Sequence, residues 1–326
     1  KANSGEIEEA IALYQQSLAI TEQIGDVQSQ ATTLHYLGRL KANSGEIEEA
    51  IALYQQSLAI TEQIGDVQSQ AATLREIGRL KANSGEIEEA IALYQQSLAI
   101  TEQIGDVQSQ ATTLHQLGIL KANRGEIEEA IALYQQSLAI TEQIGDVQSQ
   151  ATTLHYLGRL KANSGEIEEA IALYQQSLAI TEQIGDVQSQ ATTLHYLGRL
   201  KANSGEIEEA IALYQQSLAL TEQIGNVQGK AATLHQLGIL KANRGEIEEA
   251  IALYQQSLAI FEQIGDVQRK AMTMWWLGHI AEQQSDYNQA LDYLQPALEI
   301  LQRIQSPDAE AVRQAVARVQ DLIRNS

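Results

Sequence analysis

Apolar residues along the chain fall into two alternating stripes, each at the three-to-four spacing of one helix face. The first stripe is Ala31, Leu34, Leu37 and Leu40/Lys41; the second is Ile47, Ala50/Ile51, Tyr54, Ser57/Leu58, Thr61 and Ile64. Asp26 stands in front of the first stripe as an N-cap, a carboxylate that accepts the orphan N–H groups of a first turn. Asn43-Ser44-Gly45 breaks the pattern, with Gly45 free to take a left-handed backbone. Glu46, Glu48 and Glu49 open the second stripe, where acids complement the positive end of the helix dipole, and Gly65 closes it. Gly38 lies inside the first stripe, where glycine costs roughly 1 kcal/mol against alanine. Its recurrence predicts a close helix–helix approach. Two helices joined by so short a turn form a helical hairpin.

The block from Asp26 to Gly65 returns every 40 residues, nearly letter for letter, from Lys1 to about Arg269. A fixed period of this length is the mark of stacked repeats. Four segments are expected: a partial first repeat holding only a second helix at 1–25, six near-identical 40-residue repeats at 26–265, a degenerate last repeat at 266–305, and a capping helix at 306–326. The chain opens in mid-repeat. It therefore reads as a piece of a longer protein, with Ile7, Ile11, Tyr14 and Leu18 lacking an upstream partner. Beyond Arg269 the pattern decays. Lys270 to Gly278 still reads as a first helix, and Ser285-Asp286 replaces the Gly-Glu turn. Tyr287 to Ile304 reads as a second helix that Pro296 is expected to bend or interrupt. Ser306-Pro307-Asp308 reads as an N-cap followed by a first-turn proline. Ala311/Val312, Ala315/Val316, Val319 and Leu322/Ile323 then form one apolar face. Glu310, Arg313, Gln314, Asp321 and Arg324 form the other, as expected of a solvating cap.

Leu34, Leu37-Gly38, Gly45, Ala50, Tyr54 and Ser57-Leu58 resemble the tetratricopeptide repeat, which has at these places an aromatic residue, Leu-Gly, Gly, Ala, an aromatic and a small residue. The resemblance covers essentially the whole chain, about seven times over. There are departures: Leu34 replaces the family's common Trp, Lys41 its Tyr, and no Pro ends the second helix, which runs on through Thr61-Glu62-Gln63-Ile64. The 40-residue period is similar to the long-repeat branch of LGN/Pins adaptors, kinesin light chains and bacterial signalling proteins. The resemblance implies an all-α, right-handed superhelical solenoid of helical hairpins, protein or peptide binding, and no catalysis. It further implies that the first helices line a concave groove and the second helices form the convex wall.

Composition narrows the partners. The chain has 42 acidic and 21 basic residues, a net charge of −21, which opposes binding to nucleic acids and anionic membranes. No cysteine is present, which excludes disulfides and thiolate metal sites. That fits a reducing compartment, and a cytoplasmic location is expected. No apolar run is long enough to span a membrane.

Projecting the first helix leaves Thr32, His35, Tyr36, Arg39 and Asn43 on its open face. The same ladder runs through Ala72, Arg75, Glu76, Arg79 and Asn83, then Thr112, His115, Gln116, Ile119 and Asn123, then Thr152, His155, Tyr156, Arg159 and Asn163. It continues through His195, Tyr196, Arg199 and Asn203, then His235, Gln236, Ile239 and Asn243, and ends at Trp275, Trp276 and His279. Most differences between copies fall on this face, while the second helices are almost invariant. The His and Arg side chains gather here as well, whereas the acids lie at helix ends and on the outer surface. Guanidinium and amide groups along such a track suit the carboxylates and backbone of a peptide, an acidic one included. The competing reading is block duplication without selection: Gln116, Ile119 and Arg124 reappear together as Gln236, Ile239 and Arg244. Neighbouring first helices at about 10 Å hold the histidines too far apart for a zinc ion with ligands at about 2 Å. No Ser-His-Asp constellation sits on a nucleophile turn. No metal and no cofactor are therefore expected. The leading expectation is a non-catalytic protein- or peptide-binding scaffold. The alternatives are a ligand-sensing arm of a larger bacterial signalling protein with an NTPase or protease-like effector, and a structural protein that self-associates end to end through its uncapped N-terminal helix.

Overall fold

A computed structural model describes residues 4–325. Among them sixteen helices follow one another: α1 Ser4–Ile24, α2 Val27–Asn43, α3 Ile47–Ile64, α4 Val67–Asn83, α5 Ile87–Ile104, α6 Val107–Asn123, α7 Ile127–Ile144, α8 Val147–Asn163, α9 Ile167–Ile184, α10 Val187–Asn203, α11 Ile207–Gln223, α12 Val227–Asn243, α13 Ile247–Ile264, α14 Val267–Gln283, α15 Tyr287–Arg303 and α16 Ala309–Asn325. The chain divides into two compact halves, residues 1–160 and 161–326. Each half is an all-α solenoid of stacked helical hairpins.

The turns follow directly from the sequence. At the end of α3, Gly65 takes φ 73° and its N–H reaches the Glu62 carbonyl, while the Asp66 N–H reaches that of Thr61 at 2.9 Å. This closes the helix by the left-handed glycine motif. Asp66 then caps α4, its side chain accepting from the Ser69 N–H at 3.1 Å. The turn inside the hairpin repeats the device: Gly45 has φ 86° and the Glu46 N–H reaches the Lys41 carbonyl at 2.9 Å. Glu46 makes no side-chain cap bond. Its carboxylate instead accepts from Lys41 Nζ at 2.6 Å and Ser44 Oγ at 2.7 Å, and Glu49 closes on the same ammonium at 2.8 Å. The two carboxylates hold the Lys41 pKa above its ordinary value. Lysine at this departure from the family pattern thus ties the two helices of a hairpin together.

The core is assembled across repeats. In the first half, Ala50 and Tyr54 of α3 cluster with Ile77 and Leu80 of α4, and Ala90, Ile91 and Tyr94 of α5 with Leu117 and Leu120 of α6. The second half repeats this with Ala170, Tyr174, Leu197 and Leu200, and with Ala210, Ile211, Tyr214, Leu237 and Leu240. Gly38 is where Tyr54 lies against the first helix: a Cβ there would sit 2.9 Å from the ring, too close for any substituent without a shift. Ser57 donates its hydroxyl to the Ala31 carbonyl at 2.7 Å, a buried bond repeated by Ser97, Ser137, Ser217 and Ser257.

Two places differ from the sequence reading. The α15 helix runs through Pro296 without a break. Proline there leaves only the Asp292 carbonyl without its helical donor, and Asp292 is exposed, so water can serve it, while Leu294, Ala297 and Leu301 are fully buried. At the C-terminal cap, Val312, Ala315, Val316 and Val319 are buried as expected, but Ala311 is exposed and Leu322 and Ile323 are each 37% exposed. In α1 Gly5 is helical, whereas the same letter at Gly45 has φ 86°.

Candidate functional site

The first helices of each half present their predicted ladder as a half-buried surface. The rungs sit where they do because Ala31, Leu34, Leu37 and Gly38 are buried on the opposite side of the helix. The tip of each ladder, at Asn43, Asn83, Asn123, Asn163, Asn203 and Asn243, is exposed. The other rungs divide their contacts between the stack and the open face.

The histidine rung braces successive repeats. His35 Nδ1 and Thr73 Oγ1 share a hydrogen bond of 3.0 Å, and His115–Thr153, His195–Thr233 and His235–Thr273 repeat it at 3.1, 3.0 and 3.0 Å. The Thr273 hydroxyl also donates to the Arg269 carbonyl at 2.9 Å, so it accepts from His235, which fixes the Nδ1–H tautomer there. Each ring lies against the buried tyrosine of its own hairpin, His35 on Tyr54 at 5.1 Å and His235 on Tyr254 at 5.4 Å. Burial drives the His115, His195 and His235 pKa values down to about 4, so all three are neutral at pH 7. The threonine partners are buried and were not singled out from sequence. Their signal was available: Thr stands at 33, 73, 113, 153, 193, 233 and 273, between two stripe positions, in every copy. Where Arg75 replaces histidine, the facing Thr113 hydroxyl turns back to the Ser109 carbonyl at 2.8 Å.

The next rungs build aromatic–cation pairs. Tyr36 stacks on Tyr14 at 5.7 Å, and Arg39 lies over the Tyr36 ring at 4.9 Å. Arg159 over Tyr156 and Arg199 over Tyr196 repeat the pair at 4.7 and 4.8 Å. Arg79 differs: Glu76 takes the place of the tyrosine and holds it by a salt bridge of 2.8 Å. At the last first helix, Trp276 stacks on Tyr254 with rings nearly parallel, and Trp275 packs into the core shared with α16. His279 lies beside Trp276 and 3.8 Å from Glu282, which Arg318 of α16 grips at 2.5 and 2.8 Å.

Hollows open between successive first helices. One of ≈ 150 Å³ is lined by Thr32, His35, Tyr36, Ser57, Ser69 and Thr73, and one of ≈ 210 Å³ by Thr112, His115, Gln116, Ser137, Ser149 and Thr153. In the second half one of ≈ 250 Å³ is lined by His195, Tyr196, Asn226, Gln228, Gly229 and Arg269, among others. Among the described residues no group of three or more His, Asp or Glu side chains has the arrangement of a metal site, and no helix is long and apolar enough to cross a membrane.

The family model for the tetratricopeptide repeat matches in overlapping windows, residues 1–63, 29–103, 69–143, 109–183, 149–223 and 189–263. Among solved structures, the chain is similar to a signal-transduction ATPase with a tetratricopeptide repeat sensor from Pyrococcus horikoshii, with TM-score 0.71 and 17% identity over 96% of this chain and 50% of that one. A candidate kinesin light chain of Podosopora anserina with nearly identical TPR-like repeats gives TM-score 0.51 and 26% identity over 60% of this chain and 97% of that one. The Rap conjugation gene regulator of plasmid pLS20, in complex with the Phr* peptide, gives TM-score 0.58 and 17% identity over 87% of this chain and 77% of that one. No curated protein matches the sequence.

Proposed function

We propose, since the chain belongs to the tetratricopeptide repeat family, that it is a non-catalytic module that binds a protein or peptide segment along the open face of its first helices. One observation carries this reading. The second helices are near-identical copies, while the rungs of the first helices vary and carry Arg39, Arg159 and Arg199, each lying over a tyrosine ring. An arginine held over a ring keeps its fork of donors and loses less entropy on meeting a carboxylate or carbonyl. The exposed asparagines at 43, 83, 123, 163, 203 and 243 supply amides suited to a peptide backbone. The Rap regulator of pLS20, a relative in fold, binds a peptide.

The test is direct. Short peptides are selected on the chain from a displayed random library, and their affinity is measured for an R39A/R159A/R199A variant. Arg79 is left alone because Glu76 already occupies it. A loss of about 10-fold or more is expected from charged hydrogen bonds worth roughly 1.5–3 kcal/mol; unchanged affinity removes the reading. A second reading makes this face the sensing arm of a larger signalling protein, as in the ATPase of Pyrococcus horikoshii, half of whose length the chain spans. An NTPase or protease-like domain encoded in the same open reading frame supports the sensor; repeats alone support the scaffold.

A further inference from the structure

The repeats are so alike that a cluster of changes in one place stands out. Four differences sit at, or next in sequence to, residues that line the hollow between α10 and α12, and all shift charge the same way: Asn226 replaces the capping Asp, Lys230 and Lys270 replace Gln, and Arg269 replaces Ser. Each removes an acid or adds a base, in a chain whose net charge is −21. A fifth difference removes a side chain: Gly229 stands where the comparable hollows have Ser69 and Ser149. The result is the roomiest of the three, ≈ 250 Å³ against ≈ 150 and ≈ 210 Å³, and the one among them that a cation lines.

The charges are not equivalent. Lys230 is held by Glu222 at 2.9 Å and Lys270 by Glu262 at 2.6 Å, so they offset local acids and go no further. Arg269 lines the hollow itself. It rests over Phe261, which replaces a threonine of the regular repeat, with 6.0 Å from guanidinium to ring centre, and one edge is tied to Asp266 at 3.0 Å. That leaves its remaining donors in place and its side chain half exposed. Asn226 donates to Gln188 Oε1 at 3.3 Å, where the regular repeat has an Asp carboxylate that would repel an anion. A Cβ at Gly229 would lie 2.7 Å from Asn226 Nδ2, so the Asn and the Gly belong together.

Resting on the peptide-binding reading above, we infer that this hollow is a side-chain subsite for an Asp or Glu of the bound peptide, its carboxylate received by Arg269. The volume is below the roughly 300–1,000 Å³ usual for whole small molecules and suits one side chain. Arg269, Asn226 and Gln228 are among its lining residues and bring polar groups suited to a carboxylate.

The experiment is a double-mutant cycle on the full chain. The tightest peptide from a displayed random library is remade with each Asp or Glu changed in turn to Asn or Gln. Each version is bound to the wild type and to R269S, which installs the serine that stands at 29, 69, 109, 149 and 189; circular dichroism checks that the fold is kept. At one acidic position the acid-to-amide change weakens binding to the wild type about 10-fold and leaves binding to R269S unchanged, with R269K in between. If every acid-to-amide penalty is the same in R269S as in the wild type, or no acidic position matters, the subsite is wrong while peptide binding stands. If the library yields no binding peptide, the peptide-binding reading fails and the subsite falls with it.

Discussion

Residues 5–24 and 45–64 are the same letters in the same order, and the structure treats them differently. In the second copy Gly45 turns the chain at φ 86°, α2 lies alongside, and Tyr54 is fully buried against Gly38. In the first copy Gly5 is helical, and Tyr14 is only half-buried, stacked on Tyr36 of the following helix. Leu13, Ile20 and Ile24 are exposed by 59, 57 and 68%. The sequence supplies a helix in both places. The buried tyrosine comes from a first helix packed beside it. A repeat of this kind is therefore half a folding unit, and its neighbour supplies the rest.

That contrast sets the size of the expected effects. Tyr54→Ala empties a fully buried site and is expected to cost about 3–5 kcal/mol, as for other large aromatic truncations, while Tyr14→Ala costs less than half as much; urea denaturation of both variants decides this. Gly38→Ala forces a methyl against the Tyr54 ring and is expected to cost about 1–3 kcal/mol. The glycines of the two copies then differ in sign. Gly45→Ala destabilises by about 1–2 kcal/mol because alanine is strained at positive φ, whereas Gly5→Ala, with nothing near its new methyl, stabilises α1 by about 0.5–1 kcal/mol. Equal effects at the two positions would mean that α1 turns as α3 does. The same reasoning covers Ser285 at φ 62°, where the regular repeat has Gly: Ser285→Gly is expected to raise the thermal midpoint.

The acid side of the stability profile belongs to the histidines. The folded His115, His195 and His235 have pKa values near 4, below the ordinary 6.5, because burial disfavours their charged form. The unfolded chain therefore binds protons first as pH falls. The contribution of these side chains is complete above about pH 6.5 and is lost progressively down to about pH 4. The urea midpoint is expected to fall through this window. It should fall less steeply in a H115N/H195N/H235N variant; an identical slope would separate the loss from these rings. Capping aspartates such as Asp26 and Asp66, held below their ordinary pKa by hydrogen bonds from Ser29 and from Ser69 and Gln28 respectively, lose their share only at lower pH.

Most of the architecture was legible because it is local and periodic. Asp26, Gly45, Gly65 and the two stripes each act within a few residues of themselves, so spacing alone reveals them. What stripe spacing leaves out is the pairing of side chains, part of it across the 40-residue period. His35 looked like a free rung because nothing in its own helix hints that Thr73, 38 residues on, meets its ring. Lys41 looked like a departure from the family and proves to clamp two glutamates of the next helix. Arg79 and Arg159 looked equivalent, and only the partner one turn back, Glu76 or Tyr156, tells them apart. Pro296 is expected to bend or interrupt α15, and with Leu294, Ala297 and Leu301 buried the helix is not interrupted.

The framework and the reading face are separated most directly by one binding measurement. The peptide selected on the wild-type chain is titrated against two triple variants, R39A/R159A/R199A on the first helices and Q55A/Q135A/Q175A on the exposed face of the second helices. The account predicts a loss of about 10-fold or more for the first, and affinity unchanged for the second. A loss confined to the second-helix variant would contradict it.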